Sequence, residues 1–237
     1  MEQKLFTKNF TLLVLGQASS LFGNYILRLA LSMYVLEVTG SAAVFAGILS
    51  IATIPTILLS PIGGILADRA DRRNIMVALD TLTGIFVLCA AVFLSGDNAV
   101  VVISVLLVIL SVLGAFETPT VQACIPQMLA GDNIIKGNAV VNQVASISYL
   151  IAPLLGGILY SAVGLKPVMY ASVVCFFVTA LFECFIKLGY QAREFQGNVL
   201  SMVKNDFSGS IRFIMKERPD IMKMLLLAAF SRFFVMG

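Results

Sequence analysis

Apolar residues run along this chain in long unbroken blocks, not in the alternation of a half-buried strand or the one-sided stripe of a soluble helix. Six blocks, at residues 10–36, 42–67, 75–94, 99–123, 137–165 and 167–186, each reach the length of ~20 residues that a helix needs to cross ~30 Å of hydrocarbon. Two of them sit in stretches without a charged side chain, 39–67 and 137–165. A seventh block opens at Met224, and its fourteen residues fall short of a crossing, so the chain as given is expected to stop inside a seventh span. Lys4 and Lys8 followed by an apolar run could open a signal peptide, but the run continues well past the ~7–15 apolar residues of such a leader.

The connections sort into two kinds. Those around Thr39-Gly40-Ser41, Ser95-Gly96-Asp97 and Gly164-Leu165-Lys166 are a few residues long, which makes neighbouring helices antiparallel and packed. The stretch 191–223 is polar overall yet repeats Val199, Val203, Phe207, Ile211 and Ile214 three or four apart. It reads as an amphipathic helix on the inner membrane surface joining two halves, the alternative being a linker with accidental periodicity. The expected organisation is a six-helix transmembrane bundle over 1–189, a cytoplasmic amphipathic linker over 190–222, and the start of a seventh helix over 223–237.

Composition agrees with lipid as the solvent. Hydrophobic residues make up 59% and charged residues 12% of the chain, and the mean hydropathy is +0.97. A soluble domain carries about a quarter charged residues, so there is too little polar material here for a watered surface. The net charge of +3 is small and implies no nucleic-acid partner. Its distribution is informative: thirteen of the Lys and Arg residues fall in the N-terminal segment and alternate connections, against Lys166 alone on the other side. That asymmetry orients the N-terminus toward the cytoplasm of a cell membrane.

Between the second and third spans the chain reads Gly64-Ile65-Leu66-Ala67-Asp68-Arg69-Ala70-Asp71-Arg72-Arg73. This resembles the G-x-x-x-D-R-x-G-R-R signature of the major facilitator superfamily, with Asp71 in place of the second glycine. In the fifth span, Ala152-Pro153-Leu154-Leu155-Gly156-Gly157 is similar to the G-P-x-x-G-G core of the antiporter motif of drug-efflux members, Ala152 replacing its first glycine; plain small-residue packing is the alternative. Gly16-Gln17, Ser20-Leu21-Phe22-Gly23, Thr39-Gly40-Ser41 and Gly137-Asn138-Ala139 look like the macrolide-efflux branch. The R-x-x-Q-G motif of many proton-coupled antiporters is absent from the fourth span, where Glu117-Thr118-Pro119 stands.

The resemblance implies an all-α membrane protein, the N-terminal half of a twelve-helix transporter, built as a 3+3 inverted repeat. Pro61-Ile62-Gly63-Gly64-Ile65-Leu66 in the second span and Pro153-Leu154-Leu155-Gly156-Gly157-Ile158-Leu159 in the fifth are the similarity such a repeat would leave. It also implies that Gly64, Asp68, Arg69, Asp71, Arg72 and Arg73 form a cytoplasmic gating latch between two halves. Asp68, at the C-terminal end of a helix, needs a compensating partner such as Arg72. Asp80 is expected to join this latch.

Ionisable groups inside spans cost at least ~2.5–3.5 kcal/mol each and ask for a partner or a water path. Arg28 and Glu117 are the two leading candidates, expected with Gln17 and Asn24 to face a transport cavity. Glu183 is expected to pair with Lys187 four residues later. The chain has no histidine, no P-loop signature, and four cysteines scattered singly, so neither catalysis nor a metal or other cofactor is expected. The expected function is efflux of a small amphipathic compound by alternating access. Its expected partners are that substrate, membrane lipid, a coupling ion (a proton) and the missing C-terminal half. The alternatives are a membrane sensor or assembly protein on the same scaffold, or the anchor of an enzyme whose catalytic domain lies beyond residue 237.

Overall fold

The structure, a computed structural model, describes residues 5–188 and 219–236. Six helices fill the first segment: α1 (Lys8–Thr39), α2 (Ala42–Arg69), α3 (Arg72–Phe93), α4 (Ala99–Met128), α5 (Asp132–Val163) and α6 (Leu165–Cys184). All six are long and apolar enough to cross a membrane. The chain divides into two units, 1–193 and 194–237. The second contributes α7 (Pro219–Met236) to the described residues. The amphipathic stretch expected over 191–223 lies outside them up to residue 218.

Each helix runs past its apolar block at one end or both, because local chemistry decides where it starts and stops. The Thr7 hydroxyl accepts from the Phe10 amide and starts α1, and Gly40, at φ 60°, ends it in the left-handed conformation that glycine adopts without strain. Ser41 caps α2 by accepting from Val44. Pro126 lies inside α4, which ends at Met128, five residues beyond its apolar block. Proline with Asp220 in the first turn starts α7 at Pro219, five residues before the expected Met224, since Pro suits the first helical position.

Packing obeys an exchange rule. Helix α2 packs along α4 as α5 packs along α1, α3 meets α4 as α6 meets α1, and α3 and α6 pack on each other. Exchanging α1 with α4, α2 with α5 and α3 with α6 leaves this pattern unchanged, as two inverted three-helix repeats require. The glycine pairs sit at equivalent contacts. A Cβ on Gly63 would lie 2.5 Å from the Ala115 carbonyl oxygen of α4, and one on Gly156 would lie 3.1 Å from Cα and O of Ile26 on α1. Exposure divides the same way. The most apolar windows of α2 and α5 are 11% and 17% buried, against 39–44% for the other four, so this pair stands at the periphery. Their outer faces carry Ile57, Leu58, Leu150, Leu154 and Ile158 exposed, a surface that suits hydrocarbon.

Two apolar clusters hold the bundle. One gathers Leu27, Leu31, Val87, Ile103, Leu107 and Phe176, and the other Phe10, Leu13, Met76, Cys124, Ile125 and Ile186. Along α1, α3, α4 and α6 alike, the chain passes from one cluster to the other through polar residues.

Candidate functional site

Those polar residues form a layer between the two apolar clusters. Gln17 and Ser20 of α1, Asp80 and Thr83 of α3, Thr120 of α4, and Thr179 and Glu183 of α6 are all buried. Glu117 of α4 is half-buried. The Ser20 hydroxyl is the connecting piece, 2.9 Å from Asp80 Oδ1 and 3.3 Å from Glu117 Oε1. The Glu183 carboxyl meets that of Asp80, and the Gln17 amide lies beside Glu117. Asp80 Oδ2 and both carboxyl oxygens of Glu183 have no N–H or O–H donor.

Arg28 stands two turns beyond Ser20 on α1. Its Nε donates to Asn24 Oδ1 at 2.6 Å, and its backbone carbonyl accepts from Ser32. Glu117 is within electrostatic range, but the guanidinium is bonded to Asn24 and the carboxyl to Ser20. The two charges nevertheless occupy matching places in the repeats. Arg28 follows Ile26, which Gly156 touches, by two residues, and Glu117 follows Ala115, which Gly63 touches, by two. Beside Arg28, the Tyr25 ring meets Tyr149 of α5 edge-on, with centroids 5.6 Å apart.

Around the α2–α3 corner the signature residues make local contacts. Arg72 lies 3.6 Å from Asp68 and donates from Nε to the Ala67 carbonyl at 2.7 Å, placing a cation on the C-terminal end of α2 where the helix dipole favours it. The Asp68 side chain is 71% exposed, so the ion pair itself contributes at most about 1 kcal/mol. Arg73 reaches across to α6 and donates to the carbonyls of Glu183 and Cys184. Gly64 is half-buried, with open space where a Cβ would stand, and Arg69 closes α2.

Asp71 explains its own departure from the family pattern. It is the N-cap of α3, at φ −67°, and its carboxylate accepts from the amides of Arg73 (3.1 Å) and Asn74 (3.5 Å). A negative charge at a helix start is favourable, and no left-handed residue is needed there. Asp71→Ala should therefore cost about 1 kcal/mol and Asp71→Gly less, although glycine restores the family signature. Thermal midpoints of the chain in detergent check this, and a stabilised Asp71→Gly protein would contradict it.

Two sequence expectations change. Asp80 was assigned to the latch, but its bonded partner is Ser20, and Arg72 and Arg73 are committed to Ala67, Asp68, Glu183 and Cys184. Glu183 does not pair with Lys187: α6 ends at Cys184, so the four-residue helical spacing is lost, and Lys187 is exposed while Glu183 is buried. Sequence reading missed Ser20 and Glu183 as site members. The signal for Glu183 was a lone carboxyl in an otherwise uncharged stretch of α6.

In α5, Ala152 is fully buried, Pro153 lies inside the helix, Gly156 touches α1, and Gly157 is 3.7 Å from Leu29 at its Cβ position. These small residues let α5 approach α1 closely.

Comparison with known proteins agrees with this architecture. The chain is 25% identical to Macrolide efflux protein A of Streptococcus pyogenes over 227 residues, covering 93% of this chain and 54% of that protein. It is also 25% identical to Macrolide efflux protein A of Enterococcus faecalis over 203 residues, covering 83% and 60% of the two chains. To the Staphyloferrin A transporter of Staphylococcus aureus it is 27% identical over 166 residues, covering 67% and 41%. The chain thus spans about half the length of the curated relatives it matches. The family pattern of the Major Facilitator Superfamily matches residues 13–237. With six apolar helices in two inverted repeats and a family match over nearly its whole length, this multi-pass membrane protein belongs to the Major Facilitator Superfamily.

Proposed function

We propose that the chain forms the N-terminal half of an alternating-access permease that expels a small amphipathic compound from the cell, driven by an ion gradient with the proton as coupling ion. The carrying observation is the polar layer between the two apolar clusters, with half-buried Glu117 as its least covered carboxyl. Hydrocarbon-soluble helices gain nothing in packing from three carboxyls and an arginine, each costing at least ~2.5–3.5 kcal/mol to insert. Such groups suit a path for solute or ions.

In this reading Gln17, Asn24, Arg28 and Glu117 face the transport cavity. The α2–α3 corner, from Gly64 to Arg73, is the cytoplasmic latch against a second six-helix half, and Ala152, Pro153, Gly156 and Gly157 are the antiporter-like, close-packed segment of α5. Residues 1–189 are the bundle, 190–222 a cytoplasmic linker and 223–237 the start of the next span. The Lys and Arg asymmetry supports a cytoplasmic N-terminus in the cell membrane. Efflux is favoured by the names of the macrolide efflux relatives.

The test is Glu117→Gln in the complete gene product. Cells preloaded with erythromycin or with ethidium should expel the probe about tenfold more slowly or worse than cells carrying the unaltered protein, at equal membrane abundance, which corresponds to losing roughly 1.4 kcal/mol or more of functional interaction. Unchanged efflux at equal abundance would remove Glu117 from the transport path.

A further inference from the structure

We propose that Arg28 and Glu117 are the two ends of a subsite for a compact zwitterion, a solute of amino-acid type whose ammonium and carboxylate stand a few bonds apart. This names the substrate class of the cavity proposed above and rests on that reading.

Two opposite charges on packed spans gain by closing on each other, since an ion pair offsets part of what each costs in hydrocarbon. Arg28 of α1 and Glu117 of α4 lie within each other's field, yet among the described residues neither forms an ion pair. Each is held by a neutral side chain instead. Arg28 Nε donates to Asn24 Oδ1 at 2.6 Å, and the Ser20 hydroxyl lies 3.3 Å from Glu117 Oε1. Asn24 follows Ser20 by four residues, which sets these two anchors about 6 Å apart along α1 at ~1.5 Å per residue. The cation and the anion are thus steadied at successive turns with a gap between them. Two charge-assisted hydrogen bonds of ~2.8 Å, joined by the few bonds between an ammonium and its carboxylate, suit a gap of that order.

The guanidinium itself points to a guest. It carries donors on three nitrogens, and only Nε is used: the two terminal nitrogens have no acceptor among the described residues. Arg28 is half-buried, so this edge is open where the oxygens of Glu183 are sealed. A planar edge of free N–H groups matches the two oxygens of a carboxylate.

The surroundings describe the rest of the solute. Tyr25, one turn before Arg28, meets Tyr149 edge-on, and Tyr149 is 66% exposed. Both Arg28 and Glu117 act on the Tyr25 ring electrostatically, so the ring stands beside the two charges. The pair of rings offers a wall to an apolar or aromatic side chain. Glu117 repels a simple anion from this place and Arg28 repels a simple cation, so a guest with both charges in the right order is favoured over either alone.

Thermal midpoints of the complete gene product in detergent test the subsite. The probes are L-phenylalanine, its amide, which carries only the cation, and N-acetyl-L-phenylalanine, which carries only the anion. Phenylalanine should raise the midpoint and half-saturate at a concentration about tenfold or more below that of either derivative. Arg28→Gln should bring phenylalanine level with the amide, Arg28→Lys should keep part of the preference, and Glu117→Gln should bring phenylalanine level with the acetyl derivative. These are ratios within one protein, so a general loss of stability does not imitate them. Where a variant fails to fold, the three probes on the unaltered protein still decide. No rise with phenylalanine, half-saturation equal to that of either derivative, or an unchanged ratio in Arg28→Gln overturns the subsite. If phenylalanine does not bind while efflux of erythromycin or ethidium still depends on Glu117, the substrate class fails and the permease reading stands. If phenylalanine binds as expected while efflux is indifferent to Glu117, the permease reading fails and a zwitterion-binding site remains.

Discussion

Gly63→Val should leave α2 unable to seat on α4 and should remove most of the folded protein from detergent extracts. A Cβ at this position would lie 2.5 Å from the Ala115 carbonyl oxygen and 3.1 Å from the Phe116 Cα, both backbone atoms of α4 that no rotamer change can move aside. Overpacking a tight contact costs about 1–3 kcal/mol and more where backbone must shift, and valine adds two methyl groups beyond the Cβ. Without a hydrophobic drive between helices in lipid, close small-residue contact is a main source of their association. Its loss has little to replace it. Gly64 next door has nothing within 4 Å of the same construction, so Gly64→Val is the control and should be tolerated. The inverted repeat extends the prediction to α5. Gly156→Val should be damaging, because it strikes the Ile26 backbone at 3.1 Å, and Gly157→Val should be mild, because it meets only the end of Leu29. Size-exclusion profiles and thermal midpoints of the four proteins measure the order. If Gly64→Val proved as harmful as Gly63→Val, the assignment of the first glycine of each pair to the helix contact would be wrong.

The contrast within each pair shows what the sequence could and could not convey. Pro-x-Gly-Gly in α2 and Pro-x-x-Gly-Gly in α5 were readable as a repeat, because both are short runs of the same residue types three helices apart. Which glycine touches a neighbour depends on how α2 and α5 are rotated, and a charge-free apolar helix carries little in its sequence to fix that rotation. The spans were legible for a related reason: in lipid, length and apolarity alone decide that a segment crosses. Their ends were less so, since caps such as Thr7 and Asp71 start a helix in polar sequence before the apolar block begins.

Asp80 illustrates the harder case. Its nearness in sequence to the latch residues suggests membership of the latch, but rotation about the α3 axis decides which groups it meets. Met76, Thr83, Gly84 and Val87, spaced three, four and seven residues from Asp80, are all buried, so Asp80 belongs to the inward stripe of α3. That stripe could have been read from residue types, as small and apolar residues flank the carboxyl on one face. What no single sequence supplies is the convergence of α1, α3, α4 and α6 that sets Ser20, Asp80, Glu117 and Glu183 at one level.

Arg73→Leu is expected to have the next largest effect, about 2 kcal/mol of lost stability, concentrated at the junction of α3 and α6. Arg73 donates to two carbonyls at the end of α6, that of Cys184 and that of Glu183, which also accepts from the Ile186 amide as the chain leaves the helix. Hydrogen bonds to a charged group contribute roughly 1.5–3 kcal/mol, and water at this partly exposed end offsets some of the loss, which sets the figure near the lower bound. The cation also opposes the negative end of the α6 dipole, so a lysine should recover part of the effect. Recovery should be incomplete, because a guanidinium presents donors in a fixed fork that spans two acceptors and an ammonium does not. The expected order of thermal midpoints is therefore the unaltered chain, then Arg73→Lys, then Arg73→Leu, with the gap to Arg73→Lys nearly insensitive to salt because it reflects geometry rather than net charge. The same substitution should loosen the turn that carries Glu183 and speed amide exchange at 183–186, while amides of the α2–α4 contact keep their protection. Equal stability of all three proteins, or a loss spread evenly over the bundle, would mean that Arg73 does not pin α6 and that the latch end is held by α2 alone.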